Sequence, residues 1–111
     1  MGAYSNVKYS GVSDAGVGSK PIEVESSATT IYAIASGRYV VSAPSITTIV
    51  LPETPEIGDI VTVIINNNLL TNVINRNGNK IMGDAEDLVL NLLNASVALV
   101  YVNSEIGWRI I

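Results

Sequence analysis

The sequence predicts an all-β fold, a small antiparallel β-sandwich or barrel that follows an extended N-terminal arm. Ile and Val supply 14 residues each and Thr another 7, and these side chains suit a pleated sheet. The apolar runs are short, and Pro, Gly and Asn clusters separate them at the spacing typical of sandwiches and barrels. The length of 111 residues fits one domain with one modest core.

Residues 1–28 differ from the rest and are predicted to form the arm. Gly and Ser alternate there with isolated apolar residues, which are too few to build a core. An arm that lies extended on a neighbour could place single side chains in its grooves, and we expect Tyr4, Val7, Tyr9 and Val12 to contact a neighbour in this way. A frayed tail fits the composition equally well.

Residues 29–111 are predicted to form the β-domain. Ser36-Gly37 indicates a tight turn, and Asn77-Gly78 is the strongest hairpin signal. A helix is the alternative for residues 84–93, but the alternation of Leu88, Leu90 and Leu92 favours a strand. The predicted strands span residues 29–35, 38–43, 47–51, 59–65, 72–76, 88–93, 97–102 and 108–111.

Two of these runs, residues 59–65 and 97–102, are apolar on both faces. Both faces need cover, so we expect these strands to lie at the centre of a sheet or between the core and a subunit contact. The residues predicted to pack between subunits are Val61, Val63, Leu99, Tyr101 and Trp108.

The composition supports an assembling protein and excludes several other classes. Charged residues make up 14% and apolar residues 48% of the chain, against about 25% charged in an ordinary soluble domain. One small domain cannot hide that much apolar surface, so we expect it to oligomerise. The net charge is −4 and no basic stripe is present, which argues against nucleic acid as a partner. No segment reaches the roughly 20 apolar residues of a membrane span.

The sequence offers no set of catalytic residues. His and Cys are absent, so there is no imidazole base, thiolate or usual transition-metal ligand. Asp84, Glu86 and Asp87 could hold calcium, but their spacing is not that of an EF-hand and a solvated acidic loop is favoured. Carboxylates in residues 53–59 surround two prolines, which favours an exposed turn over a glycosidase pair. We predict no enzymatic activity, no cofactor and no metal site.

Several segments together resemble a β-domain that recurs in bacteriophage virion proteins. In the first half these are residues 37–41 (GRYVV), 50–52 (VLP) and 56–63 (EIGDIVTV). The second half is similar too, with Asn77-Gly78, the runs 88–90 and 97–101 and the closing Gly107-Trp108-Arg109 in the same order. The resemblance covers residues 37–111 and is a pattern of strands and turns without a catalytic signature.

The resemblance implies a structural subunit, often trimeric, that cements a capsid or forms the end of a fibre. Only a short arm precedes the β-domain, whereas a fibre tip normally follows a long shaft, so we favour the first role. We therefore expect a capsid decoration (cement) protein, a homotrimer that binds the major capsid protein on the outer capsid surface of the virion. The arm residues expected to contact the capsid are Tyr4, Val7, Tyr9 and Val12. The alternatives are a receptor-binding tip of a phage tail fibre, with the loops at residues 66–68 and 77–79 contacting host glycan, or a carbohydrate-binding module.

Overall fold

The computed structural model describes residues 22–24 and 29–111. Every regular element in this part of the chain is a β-strand, which confirms the predicted all-β class. Each of the runs predicted as strands overlaps one of β2 to β9, while β1 lies in the range predicted as the arm. The strands are β1 (Ile22–Val24), β2 (Thr30–Tyr32), β3 (Arg38–Val41), β4 (Thr48–Val50), β5 (Ile60–Ile65), β6 (Asn72–Asn75), β7 (Leu88–Leu90), β8 (Ser96–Asn103) and β9 (Gly107–Ile110).

The strands form two mixed sheets, which corrects the prediction of an antiparallel fold. The five-stranded sheet has the order β1-β3-β5-β8-β9, and the four-stranded sheet has the order β2-β4-β6-β7. From β1 to β6 the chain alternates between the sheets, so neighbours within a sheet are two strands apart in sequence and run parallel. Only β7, β8 and β9 pair antiparallel with their neighbours. The alternating pattern of a strand does not reveal its pairing direction.

The parallel pairing stacks equivalent side chains on one another. Ile31 is in register with Ile49, and Ile49 with Ile74, while Val41 is in register with Ile65 in the other sheet. Both sheets contribute to a single hydrophobic core. Its buried members are Ala33, Tyr39, Val41, Ile49, Leu51, Val61, Val63, Ile65, Ile74, Ile81, Leu90, Leu99, Tyr101 and Trp108.

The predicted tight turn at Ser36-Gly37 is present. Ser36 has a φ of 67°, and the Gly37 N–H donates to the Ile34 carbonyl at 3.0 Å. The ring of Tyr39 lies over Gly37, where a Cβ would be only 2.6 Å from it, and the Tyr39 hydroxyl accepts a hydrogen bond from the Ile34 N–H at 2.9 Å. A side chain at residue 37 would therefore have to displace the ring of Tyr39.

Asn77-Gly78 forms a turn but not the predicted hairpin. Both residues have positive φ, 49° and 90°, and the Asn79 N–H donates to the Arg76 carbonyl at 3.1 Å. The chain returns along β6 only at β7, which begins at Leu88 and pairs antiparallel with β6. After the turn, Ile81 forms a bridge to Trp108 of β9. The turn itself was predicted correctly, but the segments on either side of it pair with other strands rather than with each other.

The helix considered for residues 84–93 does not form. Residues 88–90 are β7, which pairs antiparallel with β6 and places Leu90 in the core. Among the described residues there is no helix with the length and apolar character needed to cross a membrane.

Candidate interaction surfaces

The five residues predicted to pack between subunits lie in the core of the single chain. Val61, Val63, Leu99 and Trp108 are 0% exposed, and Tyr101 is 8% exposed and meets Trp108 edge to face at 5.6 Å between ring centroids. These side chains stabilise the subunit itself. Because side chains alternate across a strand, a neighbour would contact the residues between them.

The residues predicted to contact the capsid, Tyr4, Val7, Tyr9 and Val12, lie outside the described residues. The structure does describe β1, which pairs in parallel with β3. The five-stranded sheet thus begins before residue 29, within the range predicted as the arm.

The outward residues of β3, β5, β8 and β9 form a surface that we call the outer face. None of these four strands contains an acidic residue. Ile60 lies opposite Val100, and Val100 opposite Arg109, while Thr62 lies opposite Ala98. Thr62 and Ser96 supply hydroxyls, and Arg38 and Arg109 supply the charges. The apolar members of the outer face are Val40, Ile60, Ile64, Ala98, Val100 and Val102.

The outer face is the larger of the two sheet surfaces. Strands about 4.8 Å apart make the four strands of the outer face roughly 19 Å wide, and the six residues of β5 are about 20 Å long at ~3.3 Å each. The resulting planar area of about 380 Å², before side-chain relief is counted, is about half of the ~800 Å² that each partner buries in a standard interface. The four-stranded sheet, with strands of three or four residues, offers about half that area.

A second surface lies where three loops cross from one sheet to the other. Residues 42–47, 66–71 and 91–95 join β3 to β4, β5 to β6 and β7 to β8, and the strand directions bring all three loops to the same end. Their sequences, SAPSIT, NNNLLT and NLLNA, contain no charged residue. We call this surface the uncharged end.

Asn72 holds two of these loops together from a fully buried position. Its Oδ1 accepts hydrogen bonds from the Thr47 N–H and from Asn67 Nδ2, both at 3.0 Å. Its Nδ2 donates to Asn67 Oδ1 and to the Leu69 carbonyl, both at 3.2 Å, and Asn67 Nδ2 also donates to the Ser45 carbonyl. The third loop is linked through the Asn94 side chain, which accepts from a backbone N–H of the second at 3.2 Å. Sequence reasoning missed this network, although an Asn inside an apolar strand run was a signal for it.

The opposite end carries the acidic residues. Every Asp and Glu between residues 29 and 111 lies in loops 51–59, 76–87 or 104–106, which we call the acidic end. Two carboxylates accept hydrogen bonds from backbone groups of these loops. Asp59 accepts from the Glu56 N–H at 2.8 Å, and Asp87 accepts from the Arg76 N–H at 2.9 Å. Within the part of the chain that the structure describes, no three potential metal ligands come together, so Asp84, Glu86 and Asp87 form no metal cluster.

The amides of residues 77–79 hold the acidic end together. Asn77 Nδ2 donates to the Leu51 carbonyl at 3.0 Å, and Asn79 Nδ2 donates to the Glu53 carbonyl at 3.0 Å. Asn77 N–H donates to the side chain of Asn75 at 2.8 Å. These contacts use amide groups that the alternative role in glycan binding would need.

Comparison with known proteins assigns no family. No family profile matches the chain, and no curated protein matches it. The function is therefore inferred from the two surfaces and from the pattern of strands and turns.

Proposed function

We propose that the chain is a structural virion protein, a capsid decoration (cement) protein that oligomerises and binds the outer surface of a phage shell. The main support for this proposal is the outer face, which has six apolar residues and no acidic one on a subunit whose core is already complete. Ile60 is exposed and the other five are half-buried, and contiguous apolar surfaces of this kind mark interaction sites in soluble proteins. The strand and turn pattern of residues 37–111, similar to phage virion β-domains, supports the same role.

The outer face would hold the oligomer together. Three copies around a threefold axis, each with this face turned towards the axis, would form a three-sided body with an apolar interior. Val100 would lie near the middle of that contact, between Ile60 and Ala98, and Arg109 at its rim. Burial of apolar side chains is the driving force for such association.

The oligomer would then stabilise the shell by binding several capsid subunits at once. Linked contacts raise the effective affinity without new chemistry, because the second contact forms within one complex. A protein that binds only the assembled state shifts the equilibrium towards that state. The partners are further copies of this chain and the major capsid protein.

Binding to purified phage shells tests the role. We expect the full chain to sediment with shells and to raise the temperature at which they dissociate. A variant lacking residues 1–21 keeps β1, and we expect it to oligomerise but to lose shell binding if residues 1–21 contact the capsid. Failure of the full chain to bind shells, together with binding to host cells, would reject the decoration role and favour a receptor-binding tip.

A further inference from the structure

Asn77 and Gly78 form the only Asn-Gly pair in the chain. Such a pair is chemically labile, because glycine has no side chain to hinder the attack of its own backbone nitrogen on the preceding amide. Gly78 is exposed, and nothing lies within 4 Å of a Cβ built on it. Water therefore has access to the turn, and the pair is a candidate for spontaneous deamidation.

The reaction needs only these two residues and water. The backbone nitrogen of Gly78 forms a bond to Cγ of Asn77, the bond from Cγ to Nδ2 breaks, and Nδ2 leaves as ammonia with the proton of the attacking nitrogen. Water then opens the five-membered imide. Opening at Cγ gives an aspartate, and opening at the backbone carbonyl gives an isoaspartate, whose main chain runs through Cγ. Either product adds one negative charge to the chain.

The fold holds the nitrogen that has to leave. Asn77 Nδ2 donates to the Leu51 carbonyl at 3.0 Å, and the Asn77 N–H donates to Asn75 Oδ1 at 2.8 Å. The positive φ of Asn77 and Gly78 and the hydrogen bond from the Asn79 N–H close a type I′ turn. Ring closure brings the Gly78 nitrogen within bonding distance of Cγ, so the amide must first rotate away from the Leu51 carbonyl.

A second amide fastens the same segment. Asn79 Nδ2 donates to the Pro52 carbonyl at 3.4 Å and to the Glu53 carbonyl at 3.0 Å. The side chains of residues 77 and 79 thus tie the turn to residues 51–53 of the acidic end. Segments of this kind open locally, without unfolding of the whole domain. The fraction of molecules in which the turn is open therefore limits the rate of ring closure.

We propose that Asn77 is a deamidation site that the fold keeps closed, so that conversion proceeds through local opening of the acidic end. The conversion also loosens that end. A carboxylate has no N–H to donate to the Leu51 carbonyl, and its charge joins all the carboxylates between residues 29 and 111. This chemistry does not depend on the decoration role.

Rates of conversion in the folded and the unfolded chain test the proposal. The full chain is incubated in buffer with and without denaturing guanidinium chloride, and the peptide that contains residue 77 is resolved into its Asn, Asp and isoaspartate forms by chromatography and mass spectrometry. We expect the folded chain to convert at least about 10-fold more slowly, because several hydrogen bonds must break first. Equal rates in the two states would overturn the proposal.

Asn79→Ala is the matched variant, because it keeps the Asn-Gly pair and removes the second amide. We expect it to speed conversion of the folded chain by roughly 3- to 10-fold and to leave the rate in guanidinium chloride unchanged. Asn66→Ala, at an exposed position at the other end of the domain, should change neither rate. A folded Asn79→Ala variant that converts as slowly as the wild type would contradict control by the contacts of the acidic end.

Asn77→Asp reproduces one product and tests the loosening. Hydrogen exchange of the Asn79 N–H, which closes the turn, should be about 10-fold faster in this variant than in the wild type. Exchange at the wild-type rate would show that conversion leaves the acidic end intact and would overturn that part of the proposal.

Discussion

Gly107 allows a close approach between β9 and the loop after the Asn77-Gly78 turn. It is buried, its φ is 75°, and a Cβ at this position would overlap the backbone carbonyl of Lys80. That carbonyl accepts a hydrogen bond from the Trp108 N–H at 2.8 Å, and the Trp108 carbonyl accepts one from the Met82 N–H at 2.7 Å. A side chain at residue 107 would push this loop away from β9.

We expect Gly107→Ala to destabilise the domain by about 3–5 kcal/mol. The left-handed backbone conformation costs about 1–2 kcal/mol for a residue with a Cβ. Displacing the Lys80 loop weakens two backbone hydrogen bonds, each worth about 1 kcal/mol, and loosens the packing around Trp108. For a domain of this size, each 1 kcal/mol lowers Tm by roughly 4–8 °C.

Urea and thermal unfolding of Gly107→Ala and Gly78→Ala measure the steric effect directly. Gly78 also has positive φ, 90°, but nothing lies within 4 Å of a Cβ there. Gly78→Ala should therefore lose only the backbone contribution, about 1–2 kcal/mol. Equal losses of unfolding free energy in the two variants would refute the close approach as the reason for glycine at residue 107.

Three further substitutions test the network and the core by the same unfolding measurements. Asn72→Ala should lower the unfolding free energy by about 2–4 kcal/mol because it leaves buried backbone groups unpaired. Asn66→Ala, at an exposed position, should change it by less than ~0.5 kcal/mol. Equal effects of the two substitutions would contradict the stabilising role of the Asn72 network. Tyr39→Phe should lower the unfolding free energy by about 1–2 kcal/mol, since the Ile34 N–H loses its acceptor. An unchanged unfolding free energy would show that water replaces the tyrosine hydroxyl. Trp108→Phe should lower the unfolding free energy by only ~1–2 kcal/mol, because the buried Nε1 has no hydrogen-bond partner within the described part of the chain. A Trp-to-Ala change typically costs ~3–5 kcal/mol. A loss for Trp108→Phe as large as that for Trp108→Ala would reveal a hydrogen-bond partner of Nε1.

The strands could be predicted because their local signals agree with the fold. Short Val- and Ile-rich runs bounded by Pro, Gly and Asn fixed the positions of β2 to β9. The directions of the strands could not be predicted, because the chain crosses between the sheets twice from Ile31 to Ile49 and twice more before Ile74 stacks on them. The alternation of side chains between two faces is a property of one strand, whereas the pairing of strands depends on segments far apart in sequence.

The surfaces were only partly visible in the sequence. The two-faced runs were identified, but alternation alone does not say which face meets the core. The packing of Trp108 and Tyr101 decides that Val61 and Leu99 point inwards, which leaves Ile60 and Val100 outside. The uncharged end consists of three segments that are separate in sequence, and only the topology brings them together.

The mass of the protein in solution tests most directly whether the outer face joins subunits. Val100→Asp places a charge on the outer face, and Val73→Asp places one at an equally half-buried outward position of the four-stranded sheet. Light scattering of the wild type should give three times the 11.7 kDa subunit mass. Val100→Asp should fall to one third of the wild-type mass while remaining folded, and Val73→Asp should keep the wild-type mass. A wild type that stays at 11.7 kDa at every concentration, or a Val100→Asp variant of undiminished mass, would contradict the account.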